Sequence, residues 1–211
     1  MGNMKTYPSD FVFWGERNYV QGSHIIYGML DAIKYWRIGT LQHFSASFKG
    51  MLQEQGEYLL FRDKEIPISL RSEICFLSEV TTDTGRYSVG LVREQEAVRK
   101  RIEDDEESLI AGFKIDADAG IALEERYPAD RLITVIIALN KKMHKNLLPV
   151  QEFSPWIVAR LDLHWQGIRN GTPGTIKICI DKNIAARITK SIILIEDKNV
   201  GEIHFNRKMI K

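Results

Sequence analysis

Between Leu132 and Met143 the sequence places Leu132, Ile133, Val135, Ile136, Leu139 and Met143 so that apolar side chains cover most of the circumference of a helix instead of a single stripe. A helix of that kind must be buried. Pro128 and Asp130 introduce it, and Pro149 requires it to end beforehand. The period then changes to two. Ile157, Ala159, Leu161, Leu163 and Trp165 alternate with Val158, Arg160, Asp162, His164 and Gln166, the pattern of a half-buried strand with the first set inward. A turn at Asn170-Gly-Thr-Pro-Gly174 leads to strand-like runs at 175–180 and 187–195, and a turn at Asp197-Lys-Asn199 leads to a last run, Gly201 to Met209.

The first half reads in the same order. Ile25, Ile26, Met29, Leu30, Ile33 and Trp36 fall at helical spacing. Phe44, Ala46 and Phe48 then alternate with Ser45 and Ser47, and apolar runs follow at Tyr58 to Phe61, Ile74 to Leu77 and Tyr87 to Val92, with a hairpin turn at Thr81 to Gly85. Residues 94–107 carry ten charges and read as a solvated helix or linker, which sets the boundary between units 1–107 and 108–211. The fold class is α+β, a buried helix followed by an antiparallel sheet, twice. A single α+β domain with two helices on one face of a long meander is the alternative.

Twenty-nine basic against twenty-eight acidic side chains leave a formal net charge of +1, which gives no global attraction to nucleic acid or anionic lipid. Cys75 and Cys179 stand far apart in apolar runs and read as reduced core residues of a cytoplasmic protein. No CxxC, HExxH or paired-histidine spacing exists among His24, His43, His144, His164 and His204, so neither metal nor cofactor is expected. The longest apolar run, Leu132 to Leu139, is far short of the ~20 residues of a membrane span, and MGNMKTYPSDF has no apolar signal core. Met1, Gly2 and Thr6 fit the MGxxxT myristoylation pattern, too short a match to carry weight.

The chemistry has a natural place at Arg17-Asn18-Tyr19-Val20-Gln21-Gly22-Ser23-His24, polar groups directly before the first apolar stripe. The unpaired N–H groups of a helix start point outward there and can hold a polarised carbonyl oxygen, while Gly22 and Gly28 let a ligand approach the backbone. Gly22 to Leu30, GSHIIYGML, resembles the GxPxxPGxL segment that opens the central helix of 3-hydroxyacyl-carrier-protein dehydratases in the hotdog superfamily. In that family a histidine before the first glycine and an acid within the helix remove water from a 3-hydroxyacyl thioester. Aligned on Gly22 and Gly28, Tyr19 stands at the histidine's place and Ile33 at the acid's, so the usual dehydration pair is missing. Asp31 lies two residues early, and His24 two residues after Gly22. A second register, with Ser23 as N-cap, looks more like the thioesterase branch. In either register the resemblance implies a thioester carbonyl held at a helix N-terminus, and the repeated element order resembles a tandem double hotdog, in which each curled sheet wraps its own helix.

The expected ligand is therefore an acyl thioester on coenzyme A or an acyl carrier protein, with one pocket near Tyr19 to Gly28 and the second half as scaffold. Tyr19, as a neutral phenol donor, His24, as general acid or base, and Asp31, as an activator of water, are the candidate catalytic residues. Asn18, Gly22, Ser23 and Gly28 are candidate substrate-binding residues. Arg160, Arg169 and Arg187 are candidates for the carrier's phosphates, whereas His164 and Asp162 share the solvent face of their strand with Arg160. Hydrolysis, decarboxylation or acyl transfer is expected over dehydration. The alternative is a non-catalytic module that binds an acyl carrier protein or partner enzyme through a degenerate site. A homodimer is a further expectation.

Overall fold

Ile25, Ile26, Met29, Leu30, Ile33 and Trp36 are buried along one side of α1 (Gly22–Trp36), as their spacing predicts. The computed structural model describes residues 5–62, 66–103, 106–116, 121–124, 129–148, 156–168, 175–185 and 187–207. The chain divides into two units, Met1–Asp104 and Asp105–Lys211.

In the first unit, β1 (Lys5–Pro8), β3 (Leu41–Phe48), β4 (Glu54–Arg62), β5 (Ile74–Thr82) and β6 (Gly85–Ala97) pair antiparallel in the order β1-β4-β6-β5-β3. The hairpin between β5 and β6 turns at Asp83 and Thr84, where Thr82 faces Gly85. The charged stretch expected to be helix or linker is instead strand over 94–97. Ala97 is held opposite Glu54 and Val98 N–H donates to Gln53 O at 3.1 Å, so backbone pairing prevails while the charged side chains stay in water. A short parallel pair, β2 (Phe13–Trp14) with β7 (Arg101–Ile102), brings the two ends of the unit together.

Tyr58 of β4 is fully buried under α1, and its hydroxyl donates to Ile25 O at 2.6 Å. Gly28 makes this approach feasible, because a Cβ there would lie 2.5 Å from the phenol oxygen and 3.0 Å from its ring carbon. The close approach that Gly28 was expected to offer a ligand is thus taken by the protein's own tyrosine, whose burial pushes its pKa well above the usual value and keeps it neutral. Gly28→Ala gains up to about 1 kcal/mol of helix propensity but forces the packed phenol to move, at about 1–3 kcal/mol. The expected result is a lower melting temperature, partly restored in Gly28→Ala/Tyr58→Phe. A more stable Gly28→Ala protein would refute the packing role.

The second unit pairs β8 (Lys114–Asp116), β9 (Ile121–Glu124), β10 (Trp156–His164), β11 (Ile176–Ile184), β12 (Ile188–Ile195) and β13 (Lys198–Arg207) antiparallel in the order β8-β9-β11-β12-β13-β10. Every residue of α2 (Leu132–Leu147) from Leu132 to Asn140 is buried. In β10 a bulge between Val158 and Arg160 shifts the alternation, so Val158, Leu161 and Leu163 are buried and Val158 does not face outward as the simple period predicts. Between β12 and β13 the turn is Glu196–Asp197, both at positive φ, slightly before the expected 197–199. Pro149, Arg169, the turn at 170–174 and the end of the last run at 208–209 lie outside the described residues. Among the described residues no helix is long and apolar enough to cross a membrane.

Candidate functional site

The segment leading into α1 is held by hydrogen bonds to Leu52 and Gln53. Val20 N–H donates to Leu52 O at 2.8 Å, and the Gln53 side-chain amide donates to Asn18 O at 2.9 Å, which fixes the chain entering the helix. The N-cap is Gln21, in extended conformation, rather than Ser23, because Gln21 O accepts the first helical bond from Ile25 N–H at 3.2 Å. The Gln21 side chain makes no capping hydrogen bond. Ser23 is buried and its hydroxyl donates to Gln21 Oε1 at 3.3 Å. Gln21 itself is only 3% exposed, and its Nε2 has no acceptor among the described residues. An amide donor thus lies buried beside the outward N–H groups of the first turn.

Around this start, the Trp14 and His24 rings meet at a T-shaped contact with centroids 4.6 Å apart. The Arg101 guanidinium donates to Gly15 O and to Arg17 O, the latter at 2.9 Å, and lies over the Phe13 ring at 5.5 Å. Gly15, Glu16, Arg17, Arg101, Ile102 and Glu103 line a cleft of about 960 Å³ here. His24, Gly22 and Tyr19 are half-buried, and Asn18 is exposed. Asp31 does not join them. It lies seven residues beyond His24, roughly 10 Å along the axis, and holds Lys34 at 3.0 Å in an exposed pair.

The second unit contains a polar seam that the sequence reading passed over. Asn140 and His144, four apart on α2, face Thr189 and Ser191, two apart on β12, and all four are fully buried. Ser191 Oγ donates to Asn140 Oδ1 at 2.9 Å, and Thr189 Oγ1 shares a hydrogen bond with His144 Nε2 at 2.9 Å. Asn140 Nδ2 and His144 Nδ1 have no partner among the described residues. The His144 ring packs on Trp156 and Phe205, and burial lowers its pKa to about 4, so it is neutral at physiological pH. Two polar residues i,i+4 in line with the apolar positions of the helix, Asn140 after Ile136 and His144 after Asn140, were the available signal. Arg160 and Arg187 are exposed, and Arg160 sits 3.4 Å from Asp162.

The chain has the hotdog fold. It is similar in fold to a candidate thioesterase II from Thermobifida fusca YX, at a TM-score of 0.56 and 8% identity over 99% of this chain and 94% of that one. It is likewise similar to the tesB protein of Mycobacterium avium subs paratuberculosis, at a TM-score of 0.54 and 8% identity over 98% and 96%. An acyl-ACP thioesterase from Bacteroides thetaiotaomicron VPI-5482 matches at 0.51 and 7% identity over 97% and 98%. No protein-family model matches the sequence, and no curated protein matches it.

Proposed function

We propose that this protein is a tandem double hotdog that acts on acyl thioesters of coenzyme A or an acyl carrier protein, with the thioester carbonyl at the start of α1. The observation that carries this reading is the start of α1, where the Gln21 side chain makes no capping hydrogen bond and its buried Nε2 has no acceptor among the described residues. A buried unsatisfied donor is costly unless a ligand supplies the oxygen, and a thioester carbonyl supplies one that becomes more negative in the transition state. Tyr19 and His24 flank that position and serve as phenol donor and as acid or base. Gly22 and Ser23 contribute backbone N–H groups, and Asn18 shapes the entry. Asp31, tied to Lys34 further up the helix, stabilises the helix surface rather than activating water. The reaction is loss or transfer of the acyl group, since Tyr19 and Ile33 occupy the places of the dehydration pair.

The test is thioester loss from a panel of acyl-coenzyme A chain lengths, with wild type, Gln21→Leu, Tyr19→Phe, His24→Ala and His164→Ala, each checked for folding. Removing one donor to a developing oxyanion is expected to cost roughly 10²–10³ in rate, and His164→Ala, on an exposed strand position, almost nothing. Activity abolished only by His164→Ala would overturn the site. Binding without turnover by wild type would leave the partner-binding module as the function.

A further inference from the structure

Gly22, His24 and Tyr27 reach the surface on the outer side of the first two turns of α1, while the inner side of the same turns is closed. Tyr58 of β4 stands beneath them. Its hydroxyl donates to Ile25 O at 2.6 Å, its ring fills the space that Gly28 leaves free, and the Phe11 ring meets it in a T-shaped contact with centroids 6.2 Å apart. Val20, Ile25, Ile26, Met29, Leu52 and Tyr58 are each at most 3% exposed. A channel wide enough for an alkyl chain would leave accessible surface on the side chains that line it, so none runs among these residues. The hydroxyl makes the closure firm. A phenol that swung aside would leave its buried oxygen without Ile25 O, and an unmade buried hydrogen bond is costly.

We propose that Tyr58 is the floor of the site and restricts its substrates to short acyl groups, an inference that rests on the thioester reading above. Ile25 lies three residues beyond Gly22, roughly 4.5 Å along the axis, so a chain running inward from a carbonyl at the helix start meets the Tyr58 hydroxyl after about four carbons. A longer chain has to displace a packed and anchored ring. The cleft beside the helix start gives it no other apolar berth, because Glu16, Arg17, Arg101 and Glu103 are four of its lining residues. Extended alkyl surface laid among those charges gains little burial. Selection against long chains thus comes from the tyrosine under Gly28, a residue that need not touch the reacting atoms.

Thioester loss from acetyl-, butyryl- and octanoyl-pantetheine, which carry the portion that both carriers share, is measured for wild type, Tyr58→Leu and Tyr58→Ala, each checked for folding by circular dichroism. Wild type is expected to process the octanoyl thioester at least roughly 10²-fold less efficiently in kcat/KM than the butyryl one, since even one methylene that does not fit is costly. In Tyr58→Ala that gap is expected to narrow to about tenfold or less, because an apolar cavity left beneath the helix stays dry and accepts an apolar guest. Tyr58→Leu should fall between the two and carries the comparison if Tyr58→Ala does not fold. Equal efficiency of wild type on octanoyl and butyryl thioesters, or an unchanged gap in a folded variant, would overturn the floor and leave the thioester reading standing. No turnover of any of the three by wild type would overturn the thioester reading, and the chain limit with it.

Discussion

Replacing Ile136 with Asp is expected to destabilise the protein by on the order of 3–5 kcal/mol, enough to remove most of the stability of an ordinary domain. Ile136 is 0% exposed on α2, and its neighbours Ile133, Val135, Leu132 and Leu139 are each at or below 1%. A carboxylate there would lose its hydration without gaining a counter-charge, because the buried polar side chains near it on the helix, Thr134 and Asn140, are neutral. Neutralising it by protonation would still leave a cavity and two oxygens to satisfy. The check is urea denaturation by circular dichroism at neutral pH, with Ile136→Val as the conservative control at about 1 kcal/mol. An Ile136→Asp protein with the wild-type midpoint would mean that α2 is not enclosed.

Acidification from neutral pH to about pH 4 is expected to remove about 3 kcal/mol of stability through His144 alone. Its pKa is lowered by burial to about 4, against about 6.5 in the unfolded chain. The unfolded state therefore binds a proton more readily, and stability falls as pH drops through the window from 6.5 to 4, with full stability retained above it and no further loss from this group below. Around the ring are Thr189, Trp156 and Phe205, which offer a hydroxyl and two aromatic faces but no carboxylate to compensate a charge. Unfolding free energies measured between pH 7 and pH 4 should show this slope in wild type, and His144→Leu should lose that part of it. The same slope in both proteins would show that His144 is not the group responsible.

Periodicity along the chain was sufficient for both helices and for the hairpin at Asp83–Thr84, because each depends on residues within a few positions of one another. The all-round apolar circumference of α2 required burial whatever enclosed it, and Leu132 to Asn140 are all buried. The start of α1 was legible for the same reason, since a polar word before an apolar stripe marks an N-terminus. Which side chain turns inward there was not. Ser23 is the N-cap in only one of the two registers the sequence allows, and Gln21 takes that place because the entry angle is set by Leu52 and Gln53, some thirty residues later. The same limit explains β10, where the bulge at Val158/Arg160 depends on the register against β13. It also explains Gly28, which is filled by Tyr58 from another strand. Asn140 and His144 could be seen to share a helix face, but Ser191 and Thr189 lie 51 and 45 residues from them. Sequence determined what each segment prefers locally; the pairing of distant strands, which alone brings such partners within hydrogen-bond reach, was decided only by the tertiary fold.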